Sequence, residues 1–370
     1  MNRGLASQCI LFLFSIVLLS QAQAQDQTDK PKDKVIILLH WLGVEAHYGL
    51  QIEPLFPQTE TILWLGGIGA YKFHNLYRDP NTNETIQSAN PTTLTAIYRI
   101  QATVRLGIAQ GLLYNEPLKK NFLEFFLYYF FQSDQFLSQS NSYLANSSLS
   151  DRSGLFSNTL LTGFALDNAQ YGLPHGLRQG YYLETSFETA PQALQSATQG
   201  PIDYSRFNLL GKLYFPLFDL NPQNPMNTFS ALLAIYGSLD SIQGDHPSLL
   251  ALQTFGGRDV RSGLGGSVRG VDSGRFDSTL KTVFNADLRV NGPSIIWPEL
   301  IPGLVGYLDW GLYGDLPGLK SGSIFSGGYG LYIDLFTLAH IVFYQDFWFN
   351  GTVLVAEKFP GVRIGFGIHY

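Results

Sequence analysis

Past its first two dozen residues the chain has no cysteine, no apolar run of spanning length and little charge. Its single cysteine, Cys9, stands ahead of an apolar stretch near the N-terminus. Disulfides, thiol chemistry and Cys-based metal sites are therefore closed to the remainder. That suits a chain that must cross an oxidising compartment unfolded. Charged residues are 14% of the 370, against about 25% in an average globular protein. With 23 basic and 29 acidic side chains the net charge is -6, which offers no basic face to nucleic acid. Beyond the N-terminus no stretch reaches the ~20 apolar residues of a spanning helix, and mean hydropathy is only +0.04. What is present in quantity is aromatic and small: 27 Phe, 20 Tyr and 38 Gly. That combination fits a transmembrane β-barrel, in which only every second residue has to face lipid.

The N-terminus reads as an export signal. Arg3 supplies the positive start, Ile10 to Leu19 an apolar core, and Ala22-Gln23-Ala24 an A-x-A cleavage site. The expected organisation is a signal peptide over 1–24, a short polar periplasmic tail over 25–34, and one barrel over 35–370. The tail (QDQTDKPKDK) leaves no room for a folded periplasmic domain.

Strand signals are clearest at the C-terminus. Val362, Ile364, Phe366, Ile368 and Tyr370 alternate with Gly361, Arg363, Gly365, Gly367 and His369, about the length of one tilted membrane strand. The apolar set must face lipid, because Arg363 in mid-hydrocarbon would cost roughly 2–4 kcal/mol. An aromatic at the last position, with Phe366 and Ile368 before it, is the usual terminal signature of bacterial outer-membrane barrels. The same parity recurs upstream. Phe207, Leu209, Leu213 and Phe215 alternate with Arg206, Asn208, Lys212 and Tyr214. Phe229, Ala231, Leu233, Ile235 and Leu239 alternate with Ser230, Tyr236, Ser238 and Asp240. Leu280, Phe284, Ala286, Leu288 and Val290 alternate with Lys281, Asn285, Asp287 and Arg289. Other strands are expected near 35–43, 45–56, 61–74, 92–110, 122–137, 156–168, 177–190, 246–256, 303–314, 323–335 and 338–349. The reading is an all-β single antiparallel barrel of about 15 strands, or ~16 with one missed or merged, since bacterial barrels prefer even numbers.

One stretch breaks the alternation. Gly256 to Arg275 (GGRDVRSGLGGSVRGVDSGR) is too polar and Gly-rich to face lipid. It contains Val268-Arg269-Gly270 and is followed by Asn285-Ala286-Asp287-Leu288-Arg289 and then by Tyr307-Leu308-Asp309-Trp310-Gly311. From about Gly256 to the C-terminus these features resemble the bacterial surface antigen superfamily, also called the outer-membrane protein 85 superfamily. It includes barrel-assembly and two-partner-secretion transporters. Its members carry a V-R-G motif followed by Tyr or Phe on a loop that folds into the lumen. Their F-x-D-x-G motif sits on a later strand, and its Asp pairs with the loop Arg. Here Val271 replaces the aromatic after V-R-G, and Tyr307 replaces the Phe. Five strands are expected after the loop, as in the family. Parity agrees independently: if Leu304, Leu308, Trp310 and Leu312 face lipid, then Tyr307, Asp309 and Tyr313 face the lumen. Arg269 and Asp309 are thus expected to pin the loop inside the barrel. From the loop alone, Arg269 would read as solvated and Asp309 as an ordinary lumenal charge. Asn285, Asp287 and Arg289 are expected as lumenal support.

Chemistry finds no foothold in the motifs. The seven histidines have no metal-ligand spacing, the glycines fit no phosphate loop, and no nucleophile elbow is formed. No enzyme activity, cofactor or metal is expected. The resemblance implies inserting, translocating or assembling protein or lipid substrates at the outer membrane without a chemical step. Its partners would be outer-membrane lipid, together with a separate periplasmic protein or an unfolded protein client. Such a partner would stand in for the POTRA domains that typical members carry and this chain lacks. The alternative is a passive channel or surface antigen with a loop-plugged pore.

Overall fold

A computed structural model describes residues 34–366 except for 41–42, 78, 80–85, 87–93, 138, 148–151, 153, 172, 174–175, 195–201, 259, 273, 299, 315–321, 336–338, 351–352 and 357–360. The expected signal peptide and most of the polar tail lie outside the described residues, as do Ile368 and Tyr370.

The strands follow one another along the chain. They are β1 Lys34–His40, β2 Gly43–Ile52, β3 Thr61–Asn75, β4 Ala96–Asn115, β5 Lys120–Phe136, β6 Gly154–Asp167, β7 Gly180–Ala190, β8 Asp203–Asp219 and β9 Ser230–His246. Two short ones, β10 Thr254–Phe255 and β11 Arg261–Ser262, pair only with each other. Then come β12 Leu280–Asn291, β13 Leu300–Gly314, β14 Gly322–Leu335, β15 Ala339–Asn350, β16 Val353–Ala356 and β17 Gly361–Phe366. All but β10 and β11 form one 15-stranded sheet in sequence order. Every described pairing is antiparallel with a neighbour in that order, as hairpin connections dictate. Both β16 and β17 lie on the same edge of β15, opposite Phe347–Asn350 and Ala339–Tyr344 respectively. They are two pieces of one interrupted strand, so the sheet has fourteen strand positions among the described residues.

Among the described residues the expected count of sixteen is therefore not reached, and one stretch accounts for the shortfall from fifteen. Residues 246–256 do not form a sheet strand. They hold a five-residue helix, Leu249–Gln253, followed by β10. Five strand positions do follow the loop, the number the motif resemblance implies.

The sheet is polar inside and apolar outside. Along β8, Phe207, Leu209 and Phe215 are exposed while Arg206, Asn208 and Tyr214 are buried. Along β12, Phe284 and Leu288 are exposed while Lys281, Asn285 and Asp287 are wholly enclosed. Along β13, Leu304, Leu308 and Trp310 point outward and Tyr307 and Asp309 inward. A soluble sheet would place these sets the other way round, whereas a wall with hydrocarbon on its outer side requires this arrangement. Among the described residues no helix is long and apolar enough to cross a membrane.

Candidate functional site

The β9–β12 connection, residues 247–279, lies against the inner face of the sheet. It begins with a helix cap: the Ser248 hydroxyl accepts the backbone N–H of Ala251 at 3.1 Å, which satisfies one donor of the first turn. The other end of this helix would leave carbonyls unpaired, and wall cations meet them. Lys281 Nζ donates to the carbonyls of Ala251 (3.2 Å) and Leu252 (2.8 Å), and Arg206 Nη2 donates to Ala251 as well. Asp240 sits between the two cations, 3.4 Å from Lys281 Nζ and 3.5 Å from Arg206 Nε. Its other oxygen accepts the N–H of Gly256 at 3.0 Å.

The chain then reaches across to β5 and β7. Gly257 has φ +102°, a conformation glycine adopts without steric cost. It brings the Arg258 N–H to Glu184 Oε1 at 2.9 Å. The Arg258 side chain donates to Glu184 Oε2 (3.2 Å) and to Glu124 Oε1 (2.6 Å), and its guanidinium lies 4.2 Å from the Phe126 ring centre. Burial opposes its charge, but Tyr182, Glu124 and Glu184 outweigh that and raise its pKa.

The third attachment is at Arg269. A helical turn over Leu264–Ser267 buries Leu264 completely, and Val268 with it. Arg269 then meets Asp309 three times: through its backbone N–H (2.9 Å), Nε (2.8 Å) and Nη2 (2.5 Å). Nη2 also lies 2.6 Å from Asp287 Oδ1, and Asp287 in turn accepts from Arg289 at 2.9 Å. The guanidinium stacks 3.7 Å from the Tyr307 ring centre. The backbone is held too, because Asn285 Nδ2 donates to the Ser267 carbonyl (2.9 Å) and Ser326 Oγ to that of Arg269 (2.6 Å). Charge-assisted, planar and bidentate contacts of this kind orient a loop as well as tether it.

The two motif glycines have steric reasons. Gly270 has φ +81°, and a Cβ there would lie 2.9 Å from Asp346 Cβ. A Cβ on Gly311 would lie 2.7 Å from Leu264 Cδ2 and 3.0 Å from Val268 Cγ2. Gly311 is thus the seat in the wall into which the loop's apolar side chains fit. Val271, where the family motif has an aromatic, packs in a buried cluster that includes Trp348.

The structure brings together Val268, Arg269, Gly270, Asn285, Asp287, Tyr307, Asp309 and Gly311. Arg289 donates to Asp287 at 2.9 Å. Phe366 closes β17, paired with Ala339. Sequence reasoning missed the partnerships of Arg258 with Glu124 and Glu184, and those of Arg206, Asp240 and Lys281 with the helix. Inward parity marked Arg206, Asp240 and Lys281 as polar, but nothing in the sequence named what each would meet.

A solved structure shares this fold. The crystal structure of BamA from Haemophilus ducreyi lacking POTRA domains 1-3 matches with a TM-score of 0.51 and 12% identity, over 88% of this chain. The chain spans 62% of the length of that solved chain. At this identity the likeness shows the fold alone, a BamA-like barrel sheet. No family model matches the chain, and no curated protein does either.

Proposed function

We propose that this chain is an outer-membrane β-barrel of the surface antigen type that inserts, translocates or assembles protein or lipid substrates, without a chemical step. On this reading the sheet closes on itself around the 247–279 loop, and the Arg269–Asp309 clamp holds that loop in the lumen. The threefold contact of Arg269 with Asp309 is the observation that carries the reading. It joins the two motifs that define the resemblance, forty residues apart, in a buried site where an idle charge would be costly. The BamA-like fold supports it, as do the apolar outer face and polar inner face. A separate periplasmic protein or an unfolded client would supply what the barrel acts on. An edge strand near the seam offers the unpaired backbone that an incoming strand can use.

The test compares the outer-membrane proteome and surface lipids of cells carrying the native gene, a deletion and Arg269→Ala. Specific loss of one or a few surface components in both mutants is expected. No loss in either would reduce the resemblance to shared architecture.

A further inference from the structure

The loop does not fill the space inside the sheet. A cavity of about 980 Å³ lies between the loop and the inner faces of β2 to β8. Its lining runs from one rim to the other. Glu60 and Lys120 border the short connections at one end, and Lys72 and Arg99 border the long 76–95 connection at the other. Spread over a hydrocarbon thickness of ~30 Å, that volume leaves a mean section of about 30 Å² open to the centres of water molecules. This is room for a small hydrated ion and too little for a folded client.

The charges along this passage are unevenly spent. Three of its carboxylates are taken by cations: Asp167 by Lys120 at 2.6 Å, Glu124 by Arg258 at 2.6 Å and Glu188 by Arg206 at 3.6 Å. A fourth, Glu45, is hydrogen-bonded to the His47 ring at 2.5 Å. The fifth, Glu60, stands at the rim. Arg99 is offset by Asp134 behind it. Lys72 and Arg105, on neighbouring strands, form no ion pair among the described residues. Lys72 is exposed to the cavity. The Arg105 guanidinium carbon lies over the Tyr128 ring, 3.9 Å from its centre, and its buried Nε makes no hydrogen bond. Between Arg99 and Arg105 the inward positions of β4 are the neutral Gln101 and Thr103.

We propose that this space is a conduit for small anions beside the anchored loop, with Lys72 and Arg105 setting its sign. Rings or rows of one charge select ions in just this way. A passage with low-dielectric walls focuses their field. At 0.1 M salt the screening length of ~10 Å exceeds the width that a section of about 30 Å² allows, so two unpaired cations on one wall are felt across it. This activity is independent of any client, and rests only on the reading that the sheet closes into a membrane barrel.

The test is reversal potential in planar bilayers under a tenfold KCl gradient near 0.1 M. The native protein is compared with Lys72→Glu, Arg105→Glu and the double variant, all checked for heat-modifiable gel mobility. Chloride preference is expected in the native protein. It should weaken in each single variant, turn toward potassium in the double variant, and fade in the native protein near 1 M salt. Heat-modifiable protein that does not conduct, that prefers potassium, or whose reversal potential ignores both substitutions overturns the conduit. Absence of heat-modifiable mobility overturns the barrel reading, and the conduit with it.

Discussion

At the scale of the residue, Arg269 is held by geometry as much as by charge. Its planar fork meets both oxygens of Asp309 and still reaches Asp287. Lysine would keep the charge but not the fork. Arg269→Ala strands the fully enclosed Asp309 and leaves Asp287 only Arg289, and breaking a buried pair from one side costs roughly 3–5 kcal/mol. The expected order of loop protection against added protease is native, Arg269→Lys, then Arg269→Ala. Adding Asp309→Asn to Arg269→Ala should restore part of the loss by removing a stranded charge. An Arg269→Ala loop as protected as the native one would dismiss the clamp. Gly311→Val makes a steric counterpart: its side chain would occupy the space of Leu264 and Val268. It should expose the loop while unheated samples keep the gel mobility of an intact barrel. Both glycines could be placed from the motif, but the atoms that forbid a Cβ at each were visible only in three dimensions.

At the scale of the element, the 247–279 loop is a strut fastened at three points. Arg269→Ala releases one of them and leaves Arg258 on β5 and β7, and Arg206 with Lys281 around the helix. Cleavage in that variant should therefore fall in 264–275 first. It should spread to 256–262 only when Arg258→Ala is added, as mass mapping of the fragments would show. Simultaneous cleavage throughout the loop in the single variant would mean that the three points are not independent. The helix within this loop shows where the pattern misleads. Leu249-Leu250-Ala251-Leu252 is an apolar run without alternation, which suits a buried helix turn as well as a strand. The choice is made by the Ser248 cap and by the wall cations that take its last carbonyls.

At the scale of the whole molecule, the proposed closure would join β1 to the last strand position. The single Cys9 lies ahead of the sheet, so engineered cysteine pairs would report without interference. A panel pairing positions 34–40 with 361–366 should yield at least one disulfide-linked species with altered gel mobility. A panel with no cross-link at any register would argue for an open sheet.

What the sequence by itself determined is the two-sided character of the wall. Each strand residue faces one of two environments, so alternation carries its meaning locally, whatever the neighbouring strand holds. This made the inward parity of Asp309 and the outward parity of Leu308 and Trp310 legible, along with the loop that breaks the pattern. Only the tertiary structure decided which cation meets which acid. Arg269 and Asp309 are 40 residues apart, and Arg258 and Glu124 are 134 apart. No local rule spans such separations. The motif resemblance suggested the first pair, whereas the second exists only because the folded sheet brings β5 and β7 within reach of the loop.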